Sequence, residues 1–136
     1  MDGQKREAGQ SLLELAIVLP LLVLIVLGAL DLGRAFFTVI VISNASREGA
    51  RYLVQHPAES TIGYLGTIAA ARAEATGSFV VINNGDVSPS CDDADVNGCD
   101  SGGTAIVTVN NNFSPILSWF IPSPLPLSRT TEMLVP

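Results

Sequence analysis

Residues 12–30 of this 136-residue chain, LLELAIVLPLLVLIVLGAL, form a continuous apolar segment. Its 19 residues contain one ionisable side chain, that of Glu14. As a helix rising about 1.5 Å per residue, the stretch would extend roughly 28 Å, close to the hydrocarbon thickness of a bilayer. Lys5 and Arg6 precede it, and basic residues on that side predict that the N-terminus stays in the cytoplasm while the remainder is exported. We therefore expect a single span of the cytoplasmic membrane.

The helical pattern continues beyond the apolar stretch. Residues 31–55 contain no proline, and Pro57 ends the pattern because the residue before a proline disfavours helix. Asp31 and Arg34 stand three residues apart, a spacing at which two side chains can meet on one helix face. We therefore predict one long N-terminal helix within residues 10–56, whose first half spans the membrane.

The second half of this helix shows the features of a packed element. Glu48 and Arg51 repeat the three-residue spacing of opposite charges. Ala45 and Gly49 place small side chains on one face, where another element could approach closely. We expect this half to pack on the rest of the chain.

Residues 57–136 predict a small exported domain. Alanine-rich residues 62–75 indicate a second helix, which Gly77 would end. Strand-like patterns occupy residues 79–82, 105–109 and 127–134. The predicted fold class is α+β, with the long helix packed on one short helix and an antiparallel sheet of about three strands.

The charge of this domain argues against nucleic acid as a partner. From Tyr52 onward, eight acidic residues outnumber two basic ones, Arg72 and Arg129, so that this region carries the whole net charge of −6. An acidic surface repels nucleic acid and anionic lipid headgroups. The remainder of the chain is neutral overall.

Two cysteines, Cys91 and Cys99, indicate the compartment. A paired count favours a disulfide in an oxidising, exported location, and two free thiols are the alternative. Their spacing is not that of a zinc site, and the chain has no second pair to complete one.

The loop between the cysteines is rich in oxygen ligands. Asp93, Asp95 and Asn97, followed by Gly98, match the opening of an EF-hand calcium loop. The closing glutamate is missing, because Thr104 stands at the twelfth position. A calcium site is one interpretation and a solvated, disulfide-tied turn is the other. We expect no other cofactor.

The residue types that commonly act in catalysis do not form a catalytic set in this sequence. His56 is the only histidine and precedes a proline at the predicted helix end, where a surface role is favoured over that of a base. The sequence shows no convincing Cys/His or Ser/His/Asp combination and no glycine-rich phosphate loop. We therefore expect no enzymatic activity.

A proline-rich segment, residues 113–127, is too apolar to be left in water. It contains Ile116, Leu117, Trp119, Phe120 and Ile121. Such a cluster either caps the core of the domain or contacts another subunit.

The N-terminus carries a processing motif. Gly9 ends a short basic leader, residues 1–9, Gln10 follows, and Glu14 stands five positions after the glycine. This pattern resembles the site at which a membrane-embedded prepilin peptidase cuts type IV prepilins after the glycine. Cleavage there retains the apolar helix, whereas an ordinary signal peptide is cut after its apolar run.

Four residues are predicted to bear on assembly, namely Glu14 and Pro20 inside the apolar stretch and the pair Asp31 and Arg34 just beyond it. A carboxylate such as that of Glu14 costs roughly 2.5–3.5 kcal/mol at the bilayer centre. The resemblance to pilins implies that the Glu14 carboxylate pairs with the free amine that cleavage creates at Gln10 of a neighbouring subunit. The alternative is that the Glu14 side chain reaches the lipid headgroups. Pro20 removes one helical hydrogen bond, and pilins often carry a proline here, although membrane helices also tolerate one.

Four motifs together resemble the N-terminal signature of TadE-like proteins, the pilin-like components of tight-adherence pilus systems. They are GQxxxE at residues 9–14, LP at 19–20, DxGR at 31–34 and ASREGAR at 45–51. The resemblance implies a peptidase-processed subunit that assembles with copies of itself or related pilins into a surface filament. The alternative is a membrane-anchored surface module, for adhesion or calcium binding, that does not polymerise.

Overall fold

The computed structural model describes residues 2–95 and 98–136, with the backbone alone at residues 2–9, 94 and 95. The fold is α+β, as predicted, with a long helix, a short helix and a three-stranded antiparallel sheet. The elements are α1 (Asp2–Gln55), α2 (Leu65–Glu74), β1 (Val87–Cys91), β2 (Ala94–Asp95), β3 (Gly98–Cys99), β4 (Thr104–Phe113) and β5 (Leu125–Leu134), with 3₁₀ turns at Pro57–Thr61 and Asn84–Asp86.

Helix α1 is the predicted long helix. It begins at Asp2, earlier than the predicted start at residue 10, and runs without interruption through Pro20. It ends at Gln55 because His56, which precedes Pro57, has a non-helical backbone with φ −132° and ψ 64°.

The main sheet has the strand order β1-β4-β5, and both pairs are antiparallel. Strand β1 lies at an edge of the sheet and contains Pro89, opposite Val107 of β4. A proline is tolerated there because an edge strand leaves one row of backbone N–H groups unpaired.

The predicted strand at residues 79–82 is wrong. This segment alternates between exposed and buried side chains, as a strand would, but it pairs with no other strand. Its carbonyl groups bind side chains instead: Asn111 Nδ2 donates to Val81 O at 2.9 Å, and Arg72 Nε donates to Ile82 O at 3.0 Å. The strand on this side of the sheet is β1.

The other two predicted strands are longer in the structure. Strand β4 extends to Phe113, and β5 begins at Leu125, because Asn110–Asn112 pair with Pro126–Ser128 across the hairpin. Helix α2 is shorter than the predicted residues 62–75. Gly63 and Tyr64 take left-handed backbone conformations with φ of 88° and 59°, so the helix starts at Leu65.

The second half of α1 lies on α2 and on the sheet. Ile42 and Leu53 of the helix and Val107 and Val109 of β4 are fully buried. Burying one such side chain stabilises the fold by about 1.5–3 kcal/mol. The predicted close approach at Gly49 is confirmed, since a Cβ added there would lie 3.1 Å from Val107 Cγ1.

Candidate functional site

The first half of α1 presents an uncovered apolar surface. None of residues 10–30 is buried, and Leu12, Leu22 and Ile25 expose 57–67% of their surface. Within the described part of the chain, this is the one helix that is long and apolar enough to cross a membrane. Its most apolar window is not buried at all, which distinguishes it from the core helix of a soluble protein.

The predicted processing residues and two of the four predicted assembly residues, Glu14 and Pro20, lie along this half of the helix. Gly9 and Gln10 stand in helical backbone. Glu14 is exposed and has no hydrogen-bond or ion-pair partner among the side chains that the structure describes, those of residues 10–93 and 98–136. Pro20 is also exposed and lies inside the continuous helix. Glu14 is 17 residues, about 25 Å along the helix, from Asp31, so these two assembly candidates do not form one site.

Asp31 joins the end of the apolar stretch to the domain. Its side chain is buried, with 5% of the residue exposed. Its Oδ1 accepts a hydrogen bond from the backbone N–H of Ile116 at 2.8 Å, and its Oδ2 accepts one from Leu117 at 2.9 Å. Arg34 Nη1 completes the arrangement by donating to Oδ1 at 3.3 Å. The predicted contact between Asp31 and Arg34 therefore forms, and it belongs to a larger junction.

Arg34 also contacts the sheet. Its guanidinium carbon lies 5.3 Å from the centre of the Phe113 ring, within cation–π range. Thr38 Oγ1, one turn along the helix, donates to the carbonyl of Arg34 at 2.9 Å. The second predicted pair also forms, since Arg51 binds Glu48 at 2.6 Å and 2.9 Å on the exposed face.

The partners of Asp31 come from the connection between β4 and β5, residues 114–124, here called the basal loop. Pro115 and Leu117 are buried against the domain, whereas Trp119 and Phe120 are exposed by 73% and 64%. The two exposed rings lie 4.3 Å apart. The basal loop thus caps the core with some apolar residues and leaves others uncovered.

An apolar groove of about 170 Å³ separates the basal loop from α1. Its walls include Gly28, Leu32, Ala35, Phe113, Pro115 and Ile121. The groove therefore extends along α1 from Asp31 to Gly28, which belongs to the apolar stretch.

The sequence did not indicate these partners of Asp31. The one available signal was that Asp31 directly follows the apolar stretch. A carboxylate that is buried there needs hydrogen-bond donors, but the signal does not say where the donors come from. The donors are backbone groups more than 80 residues away, as the separations of 85 and 86 residues show. Because every residue except proline has a backbone N–H, the sequence does not show which of these groups will donate to Asp31.

Cys91 and Cys99 form a disulfide that ties β1 to the short ribbon of β2 and β3. Asp92 lies beside it, and its Oδ1 accepts a hydrogen bond from the backbone N–H of Thr104. This bond lowers the pKa of the Asp92 carboxyl against a smaller opposing effect of burial.

The predicted calcium ligands are only partly described. Asp93 is exposed at the surface of the loop. Asn97 lies outside the described residues, as does the side chain of Asp95. In the described ranges, no three histidine, cysteine or acidic side chains are grouped so as to hold a metal ion. Calcium binding by this loop stays a prediction.

His56 lies at the end of α1 on the surface. Its ring stacks on Tyr52 at 4.2 Å, and its Nδ1 is 3.1 Å from the Tyr52 carbonyl oxygen. Both contacts are with the preceding helical turn and place the ring against α1.

The model of one protein family matches this chain. The family is described as TadE-like protein, and the match covers residues 9–51. It confirms the resemblance predicted from the N-terminal motifs and includes the apolar stretch, Asp31 and Arg34. No curated protein and no solved structure matches the chain.

Proposed function

We propose that this chain is a pilin-like structural subunit of a tight-adherence-type pilus or a related filament. Residues 12–30 anchor it in the cytoplasmic membrane and later pack against the same segment of neighbouring subunits. The family match over residues 9–51 supports the link to such pilus systems. We propose no catalytic role.

The observation that carries this proposal is the contrast between the two halves of α1. Ile42 and Leu53 in the second half are fully buried in the domain, while Leu15 and Leu22 in the first half expose more than half of their surface. Each large apolar side chain left in water forgoes about 1.5–3 kcal/mol. A helix that served only the core of the domain would not need its first half. Lipid, and then the helices of other subunits, would cover it.

Glu14 supports assembly in a defined register. It is the one ionisable residue in the apolar stretch, and the described residues offer it no partner. Removal of residues 1–9 by a prepilin peptidase would create a free amine at Gln10. Pairing of this amine with Glu14 of a neighbouring subunit would offset the cost of a charge in an apolar surrounding. Such pairing is available only in an assembly.

The disulfide supports the proposed topology. A bond between Cys91 and Cys99 persists in an oxidising compartment, outside the cytoplasm. Basic residues ahead of the apolar stretch favour a cytoplasmic N-terminus. The domain would then stand outside the membrane and, after assembly, on the surface of the filament.

Single-cysteine crosslinking tests this proposal. Both native cysteines are held in the disulfide, so one cysteine introduced at each position from 12 to 30 would be the free thiol of its variant. Helix packing in a filament predicts crosslinked dimers that recur about every 3.6 residues along the stretch. Positions on the opposite face of the helix are matched controls, and the same variants in a host without pilus machinery report random collisions.

A membrane anchor that does not polymerise would give a different result. Crosslinking would then be uniform along the stretch and equal in both hosts. That outcome would contradict the proposal while leaving membrane insertion intact.

A further inference from the structure

The basal loop lies at the level where the apolar stretch ends. Asp31, one residue beyond the stretch, holds the backbone N–H groups of Ile116 and Leu117 at 2.8 and 2.9 Å. The groove between loop and helix is lined by both Gly28 and Ile121. The loop therefore lies alongside the turn of α1 between Gly28 and Asp31. With residues 12–30 in the hydrocarbon core, this turn lies at the boundary between that core and the adjoining headgroup layer, which is about 5–7 Å thick.

The uncovered side chains of the loop suit that layer. Trp119 and Phe120 are exposed by 73% and 64% and lie against each other. An indole ring combines an apolar body with one polar N–H group, and tryptophan is enriched at membrane–water interfaces for this reason. Trp119 is the only tryptophan in the chain. Left in water, these rings would form an unfavourable apolar patch.

The charge pattern agrees with contact at a membrane surface. The region from Tyr52 onward carries a net charge of −6, yet residues 114–124 contain no ionisable side chain. An acidic surface is repelled by anionic headgroups, whereas an uncharged loop can enter the layer. The basal loop is thus a part of the domain that can approach lipid without an electrostatic penalty.

We propose that the basal loop is a second membrane contact of the subunit. Trp119 and Phe120 enter the headgroup layer of the outer leaflet, next to the point where α1 leaves the bilayer. The hydrogen bonds of Asp31 to Ile116 and Leu117 hold the loop at this depth, so the contact fixes the tilt of the domain before assembly. This inference rests on membrane insertion of residues 12–30, as the proposed function does, but not on polymerisation.

We favour lipid over a neighbouring subunit as the surface that covers the exposed side chains of the basal loop. The loop is tied to Asp31 within the same chain, so it lies at the membrane surface in every inserted monomer. It is also continuous with the apolar surface of residues 12–30. A neighbouring subunit would cover the loop only when protein density is high, and this difference makes the two occupants separable.

The single tryptophan provides the test. The full chain is inserted into phosphatidylcholine vesicles at a low ratio of protein to lipid, with spin labels on the headgroups of both leaflets. Flotation after an alkaline wash verifies insertion of α1 independently, so a failure of the span is distinguishable from a failure of the loop contact. We expect strong quenching of Trp119 emission by the headgroup labels and weak quenching by aqueous acrylamide.

A matched control moves the tryptophan away from the membrane. Phe79 is exposed by 62% and stacks on Phe37 at 4.6 Å, a helix position about 10.5 Å beyond Leu30. The double variant Trp119→Phe/Phe79→Trp therefore carries its only indole above the headgroups. Headgroup labels should quench Trp119 roughly threefold more than this control. Equal quenching of the two proteins would overturn the proposal. So would Trp119 emission that responds to protein density but not to labelled lipid, because this would assign the loop to a neighbouring subunit.

Discussion

The backbone N–H of Leu117 donates a 2.9 Å hydrogen bond to Oδ2 of Asp31, across 86 residues of sequence. Ile116 makes the equivalent bond to the other carboxylate oxygen. These two bonds join the end of the apolar stretch to the connection between β4 and β5. The carboxylate of Asp31 therefore fixes the position of the basal loop against α1, beside the point where the apolar stretch ends.

Asp31→Ala should release the basal loop. The substitution leaves two backbone N–H groups without their acceptor, and a donor that loses its partner is costly when it is buried. We expect hydrogen exchange at the amides of Ile116 and Leu117 to become roughly tenfold faster or more, measured by mass spectrometry on the full chain in detergent.

Arg34→Gln is the control for this prediction. It removes the charged contact at 3.3 Å but keeps both backbone hydrogen bonds to Asp31. Exchange at these amides should change much less than in Asp31→Ala. Equal exchange in wild type and Asp31→Ala would show that the carboxylate does not hold the loop.

Gly49→Leu should weaken the packing of α1 against the domain. A Cβ at this position would already lie 3.1 Å from Val107 Cγ1 and 3.2 Å from Ala71 Cβ, so a larger side chain has no room. We expect a loss of about 1–3 kcal/mol in the free energy of unfolding, measured by chemical denaturation. Gly33→Leu is the matched control, because the same helix has open space at Gly33. It should be neutral or stabilising by up to about 1 kcal/mol. Similar losses in both variants would refute close packing at Gly49.

The long helix and its close contact could be predicted because their signals are local. An apolar run, a spacing of small residues and a terminating Pro57 are properties of neighbouring positions. The paired cysteines were equally visible, and the structure joins them. Two strands were also predicted. The end of β4 at Phe113 was not, because Asn110–Asn112 are of a residue type that is uncommon in strands.

The remaining features depend on distant groups. Residues 79–82 have the alternation of a strand, but Arg72 and Asn111 occupy their carbonyl groups. Strand β1 contains Pro89, which reads as a break unless the strand is known to be at an edge. The acceptor role of Asp31 could not be predicted, because its donors are backbone groups of a loop far along the chain.

Loss of the disulfide should destabilise the domain. Cys91 and Cys99 are eight residues apart, and closing a loop of this length lowers the entropy of the unfolded chain. The double variant Cys91→Ala/Cys99→Ala should lose about 2–3 kcal/mol of stability in denaturant titrations without reductant. Reductant should destabilise the wild type and leave this variant unchanged. A wild type that is indifferent to reductant would argue against a stabilising disulfide.

Acid should weaken the cysteine loop through Asp92. The hydrogen bond from Thr104 lowers the pKa of this carboxyl below its ordinary value of 3.8. A depressed pKa in the folded state means that the ionised carboxylate contributes stability above pH 3.8, and that the contribution is lost as the pH falls from there through the folded pKa. Melting temperatures between about pH 6 and pH 2 should fall more steeply for the wild type than for Asp92→Asn. Parallel curves would show that the Asp92 carboxylate does not contribute to the acid dependence of stability.

Glu14→Ala should separate membrane insertion from assembly. Removing a charge from the apolar stretch favours insertion, so the variant should remain in the membrane fraction. Filament yield, measured as protein sheared from cells, should drop roughly tenfold or more because the intersubunit pair is lost. Glu14→Gln, which keeps the shape but not the charge, should show the same defect. Normal filaments from either variant would show that the charge is not needed.

The proposed processing and assembly are tested together by the N-terminal sequence and intact mass of the protein in filaments sheared from its native cells. We expect this chain to be present in the sheared fraction, to start at Gln10 and to have the mass of the disulfide-bonded form. A chain that starts at Met1 and stays entirely in the membrane fraction would contradict this expectation.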